Sequence, residues 1–143
     1  MAILNGNVSL ICSRKDGENI PYSQFLEPLG IEPTDEISET VSDKGKWASS
    51  FVTFLEFDRS NFKNCEYPDE EIATTLEKTF FYISQWLGKR SPNIFAKFRG
   101  SGFKITLLVS FWIDQDQLDL DVPSSLLLQC GQREIKLQII SND

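Results

Sequence analysis

The chain has 143 residues, of which 41% are hydrophobic and 12% aromatic, with no histidine, three cysteines and a formal net charge of −7. This length and composition suit a single self-sufficient domain over residues 1–143 and exclude an intrinsically disordered chain. The charge disfavours general nucleic-acid binding, and the lack of histidine removes the commonest catalytic base and metal ligand.

The first ten residues carry no positive charge and only a short apolar stretch, so neither a signal peptide nor an anchor is expected there. Val8–Ser13, after Asn5-Gly6-Asn7, reads as a first strand that turns over Arg14–Asn19. A short helix follows. Pro21 suits its start, Phe25 and Leu26 its apolar face, and Gly30-Ile31 its end in a left-handed cap. Pro28 requires that helix to be short or to finish in an irregular turn.

The acidic stretch Thr34–Asp43 reads as a loop or weak edge strand. From Lys46 the period changes to two, placing Trp47, Phe51, Leu55 and Phe57 on one side of a strand and Val52 and Phe54 on the other. Tyr67-Pro68-Asp69-Glu70-Glu71 then opens the main helix, with acids where the helix dipole favours them. Ile72, Leu76, Phe80, Ile83 and Leu87 form its apolar stripe, and it ends near Gly88.

Ser91-Pro92 starts a shorter helix over Asn93–Phe98, stopped by the glycines at 100 and 102. Phe103–Ile113 is a strong strand, and its apolar run is too short to span a bilayer. Leu118 and Leu120 alternate with Asp119 and Asp121 as in an exposed strand. Pro123–Cys130 reads as a helix capped by Gly131, and Glu134–Ile140 as the last strand. The expected fold is α+β: one mixed or mostly antiparallel sheet with helices packed on it as a two-layer sandwich. Phe25–Gly30 and Leu126–Gly131 share a pattern that suggests two related halves.

Charge along the chain runs acid, base, acid. Residues 31–71 hold eleven acids against four bases, 72–104 six bases against Glu77, and 105–143 six acids against two bases. The basic island Lys89, Arg90, Lys97, Arg99 and Lys104, interleaved with Phe95, Phe98 and Phe103, has the look of a nucleic-acid patch, but dipole complementation over core aromatics explains it better.

No motif assigns a reaction. The chain has no G-x-S-x-G elbow, no G-x-x-x-x-G-K loop and no G-x-G-x-x-G fingerprint. Asp114-x-Asp116 with Asp119 and Asp121 fails the calcium-loop template, which asks for an oxygen ligand, glycine and glutamate where Leu118, Asp119 and Ser125 stand. No catalytic residue, cofactor or metal is therefore expected. Cys12, Cys65 and Cys130 lie about sixty residues apart, which suits reduced thiols in a cytoplasmic protein.

Leu29-Gly30-Ile31-Glu32-Pro33-Thr34 after a short helix, Lys46-Trp47-Ala48-Ser49-Ser50 opening a strand, a long amphipathic helix and a closing strand-helix-Gly-strand unit together resemble the small bacterial proteins grouped as domain-of-unknown-function 4279. The resemblance covers most of the chain. It implies a bacterial cytosolic α+β protein without an established activity, and it transfers no functional residue.

The functional expectation is a non-enzymatic binding module, in its sharpest form an immunity or inhibitor protein that masks a basic partner. Two carboxylate clusters are the candidate partner-binding residues: Glu32, Asp35, Glu36, Glu39 and Asp43, and Asp116, Asp119 and Asp121. The alternative is a small-molecule or enzyme pocket between sheet and helices where Trp47, Trp86 or Trp112 meet polar groups.

Overall fold

The computed structural model describes residues 3–14, 20–32, 37–41, 48–114 and 119–142, with 37–41, 48 and 49 given by their backbone course alone. Strands β1 (Ile3–Arg14), β2 (Ile37–Val41), β3 (Ala48–Asp58), β4 (Lys104–Ile113) and β5 (Lys136–Asn142) form one sheet in the order β2-β3-β1-β4-β5. Pairing is antiparallel from β2 to β4, and β5 joins β4 in parallel. A parallel neighbour requires a crossover, which helix α3 (Ser124–Gln132) supplies. Helices α1 (Pro68–Gly88) and α2 (Pro92–Gly100) lie between β3 and β4 in the chain. The α+β architecture read from the sequence, a mixed sheet with helices packed on it, is the one observed.

The helices cover one face of the sheet. On β4, Ile105, Leu107, Val109, Phe111 and Ile113 are buried while Lys104 and Trp112 between them are exposed. On β1, Val8, Leu10 and Cys12 point the same way, against the α1 stripe Ile72, Leu76, Phe80, Ile83 and Leu87, all five buried as the spacing predicts. Phe95 and Phe98 of α2 and Phe25, Leu26 and Leu29 of the first turn region complete this core.

Several expectations change in detail. The segment after Pro21 is a single 3-10 turn, Tyr22–Gln24, followed by turns to Gly30. Gly30 sits at φ +77°, and the bonds Gly30 N to Glu27 O and Ile31 N to Leu26 O form the expected left-handed cap. In β3, Val8 faces Leu55 but Ser9 faces Thr53, so Phe54 is bulged out of register. The bulge inverts the alternation: Leu55 and Phe57 share the helix face with Val52, and Phe51 lies on the opposite face, contrary to strict period two. A bulge leaves no mark in hydrophobic periodicity, because both parities here are apolar.

Asn5-Gly6-Asn7 lies inside β1 rather than before it. A Cβ on Gly6 would come within 2.6 Å of the Phe111 ring and 2.7 Å of the Phe57 ring, so the glycine is there for close approach, not for a turn. The described part of the expected Leu118–Asp121 strand, residues 119–121, is not a strand. Gly131 lies within α3, and the left-handed cap position falls instead on Glu134 at φ +51°, with Ile135 N bonded to Cys130 O. The two halves suggested by pattern differ in structure, one a 3-10 turn and the other a two-turn α-helix. Trp47, Asp35, Glu36, Asp43 and Asp116 lie outside the described residues, as does the side chain of Glu39.

Candidate functional site

The N-terminal half of α1 presents a shoulder beside its buried stripe. Asp69, Ala73 and Glu77 recur at intervals of four and so share one line along the helix. Against this line runs the segment Asp119–Pro123, which enters α3. Leu120 and Val122 pack against the core, while Asp119 and Asp121 are exposed. The two elements enclose a groove of about 390 Å³. Ile3, Ile72, Leu76, Leu120 and Val122 form its apolar floor, and four carboxylates, Asp69, Glu77, Asp119 and Asp121, stand at its rim.

The rim is not uniformly open to a partner. Arg59 donates to Asp69 at 2.6 Å and reaches the Ile3 carbonyl oxygen at 3.4 Å, which anchors the 3-10 turn Arg59–Phe62 to the start of α1. Glu77 and Asp121 make no ion pair among the described residues. The groove is thus an apolar trough with residual negative charge from Glu77 on one wall and Asp121 on the other. Such a surface accommodates a side chain with an aliphatic stem and a cationic head.

Of the sequence-selected acids, the structure brings Asp119 and Asp121 together and leaves Glu32 apart. Glu32 is exposed just after the Gly30 cap, which lies beside Arg90 at the C-terminal end of α1. Asp69 lies at the other end of this 21-residue helix, roughly 30 Å away, and Glu77 near its middle. Glu32 and the pair Asp119 and Asp121 thus lie on different surfaces. Asp69 and Glu77 were not selected from the sequence, although their interval of eight on the shoulder of an amphipathic helix is a readable signal.

Two members of the basic island, Arg90 and Arg99, are bonded within the fold, while Lys89, Lys97 and Lys104 are exposed. Arg90 stacks 3.5 Å from the Trp86 ring and donates to the carbonyl oxygens of Leu29 (2.7 Å) and Trp86 (2.8 Å). Arg99 bonds the Arg133 carbonyl oxygen and pairs with Glu134 at 2.8 Å. Phe95, Phe98 and Phe103 are buried, with Phe98 at the centre of contacts to Phe25, Phe95 and Phe103. Trp86 and Trp112 do not converge on a pocket: Trp86 packs edge-on to Phe54 on the helix side, whereas Trp112 is exposed on the opposite face.

Burial pushes the Cys12 thiol up to about 12 and the Cys130 thiol up to about 11, so both stay protonated near neutrality and are poor nucleophiles. Among the described residues no group of three or more His, Cys, Asp or Glu side chains is placed to hold a metal ion, and no helix is long and apolar enough to cross a membrane. No family model matches the chain, and searches of curated proteins and of solved structures find no match. The fold and the groove therefore define the chain only as an α+β protein with an acidic, apolar-floored cleft.

Proposed function

We propose that this protein is a non-enzymatic binding module whose groove between α1 and residues 119–123 receives a basic side chain of a partner protein, in the manner of an immunity or inhibitor protein. The observation that supports the reading is the pairing of a floor of Ile72, Leu76, Leu120 and Val122 with the rim carboxylates Glu77, Asp119 and Asp121. A lysine or arginine lays its methylene stem on such a floor and its charge against such a rim. Complementary charge of this kind accelerates encounter and suppresses wrong partners. Three free cysteines accord with a reducing cytoplasm. The resemblance to the domain-of-unknown-function 4279 proteins supports a bacterial source.

The test is capture from the native host at moderate salt, followed by kinetics with the identified partner. The triple variant Glu77→Lys, Asp119→Lys, Asp121→Lys is expected to lower the on-rate about tenfold or more at low salt, with the difference shrinking at high salt. Recovery only of proteins that an unrelated chain of equal charge also holds, or an on-rate that the triple variant leaves unchanged, overturns the reading.

A second reading, a small-molecule site in the same groove, is favoured by its volume, which falls within the range of ligand pockets. A thermal-shift screen with metabolites and nucleotides separates the two, since a ligand specific to the folded state raises the melting temperature.

A further inference from the structure

The face of the sheet turned away from the helices carries a second concavity, and strand register builds it. Two adjacent cross-strand rows, Glu56-Asn7-Ser110 and Asp58-Asn5-Trp112, are aligned across β3, β1 and β4. Together with Asn61, from the 3-10 turn after β3, they line a groove of about 530 Å³. Trp112 leaves 49% of its surface exposed beside it, an unusual placement for an indole ring with no aromatic partner among the described residues.

The polar groups here have a definite donor and acceptor arrangement. Asn7 Oδ1 accepts from the Ser9 hydroxyl, and Asn61 Oδ1 accepts from the Asp58 backbone N–H at 2.9 Å. Each amide thus spends its oxygen on the protein and keeps an NH2 group for a ligand. Asp58 is likewise committed, accepting from the Ser60 N–H at 2.9 Å. The Glu56 carboxylate, the Ser110 hydroxyl and the Asn5 amide make no side-chain hydrogen bond among the described residues. The groove therefore offers an aromatic plane, NH2 donors and a carboxylate acceptor side by side.

We propose that this groove is a binding site for a neutral pyranose sugar or a closely similar polyol, with one ring face on the Trp112 indole and vicinal hydroxyls shared between Glu56 and the amides of Asn7 and Asn61. A hydroxyl both donates and accepts, so a pair of them satisfies a carboxylate and an amide NH2 at once. A guanidinium or ammonium only donates and leaves the two NH2 groups facing a cation. A phosphate or carboxylate ligand meets Glu56 and Asp58. The flat indole beside polar groups suits a ring with one apolar C–H face and a polar edge.

Saturation-transfer NMR on the full chain tests the site, using methyl α-glucoside, methyl α-galactoside, N-acetylglucosamine and myo-inositol as probes, with arginine methyl ester and glucose 6-phosphate as charged comparators. At least one neutral probe is expected to bind with a Kd on the order of 1 mM, above both charged comparators in affinity. Trp112→Ala is expected to weaken it about tenfold or more, Trp112→Tyr by only a few-fold, and Glu56→Gln by about tenfold. Trp112 and Glu56 are exposed, so each variant keeps its melting temperature within a few degrees; should Trp112→Ala unfold, the Glu56→Gln and Trp112→Tyr results decide alone. No transfer to any neutral probe, equal binding in Glu56→Gln, or stronger binding of arginine methyl ester overturns the proposal. It is independent of the acidic groove, so the triple lysine variant is expected to bind the sugar as the parent chain does.

Discussion

Arg133 Nη2 donates to the carbonyl oxygen of Arg90 at 2.6 Å, which joins the C-terminal end of α3 to the C-terminal end of α1 through one guanidinium. The same side chain is 3% exposed and also bonds the backbone and side-chain oxygens of Gln129, at 3.2 and 2.6 Å. Its charge lies where the negative ends of two helix dipoles meet. Those carbonyls do for a buried cation what a carboxylate does elsewhere. Arg133→Met is expected to destabilise the fold by about 2–4 kcal/mol in urea melts, because it leaves buried carbonyls unpaired. A loss below about 0.5 kcal/mol, the level of an ordinary surface change, shows that water replaces the guanidinium freely.

Glu134 holds a left-handed conformation, φ +51°, at the turn that follows α3. The backbone there costs a non-glycine residue about 1 kcal/mol, while its half-exposed ion pair with Arg99 contributes less. Glu134→Gly is therefore expected to stabilise the protein by about 0.5–1 kcal/mol, measured by chemical denaturation. Destabilisation instead assigns the larger share to the Arg99 contact.

Gly6 has the Phe57 and Phe111 rings within 3 Å of where a Cβ would stand. Both rings are buried and cannot swing aside without opening the core. Gly6→Ala is expected to cost about 1–3 kcal/mol through overpacking, read as a lower denaturation midpoint at an unchanged slope.

Phe80 and Glu77 lie one turn apart on α1 but face different surroundings. Phe80 is fully buried, so Phe80→Ala is expected to cost about 3–5 kcal/mol. Glu77→Ala is expected to change stability by about 0.5 kcal/mol or less, while weakening partner association. Equal losses in denaturant melts contradict the assigned helix face.

Alkaline pH is expected to weaken the fold through Cys12 and Cys130. Below the ordinary thiol value of 9.0 both states keep the proton, and stability is unaffected. Above it the unfolded thiols ionise while the buried ones stay protonated until about 11 to 12, so stability is lost as pH rises through that window. The variant Cys12→Val, Cys130→Val is expected to show a shallower decline between pH 9 and 11 in urea melts than the parent chain.

Local chemistry was legible in the residues wherever neighbours in sequence decide the outcome. The α1 stripe at intervals of four and three, the Ser91 cap accepting from Asn93 N, the Gly30 left-handed cap and the alternation of β4 all follow from short-range spacing. The acidic balance and the lack of histidine are readable directly as well, since both are properties of composition. Asp119 and Asp121 were recognisable as acids without an evident role in folding. What surrounds them was not.

Tertiary structure alone decided the rest, because it depends on contacts between distant residues. The bulge at Phe54 turned Phe51 away from the helices, and only pairing with β1 reveals it. Parallel docking of β5 on β4 follows from the α3 crossover, which no strand pattern encodes. Sequence spacing offers dipole complementation for Arg90 and Arg99 and nothing for Arg133, whereas the fold shows backbone carbonyls far along the chain receiving all three. Both grooves are likewise joint products, Asp69 and Glu77 meeting Asp119 and Asp121 in one, and three strands in register placing Trp112 beside Glu56 and Asn7 in the other. Spacing along a chain specifies which face a side chain occupies, but loop closure and packing determine what stands opposite it.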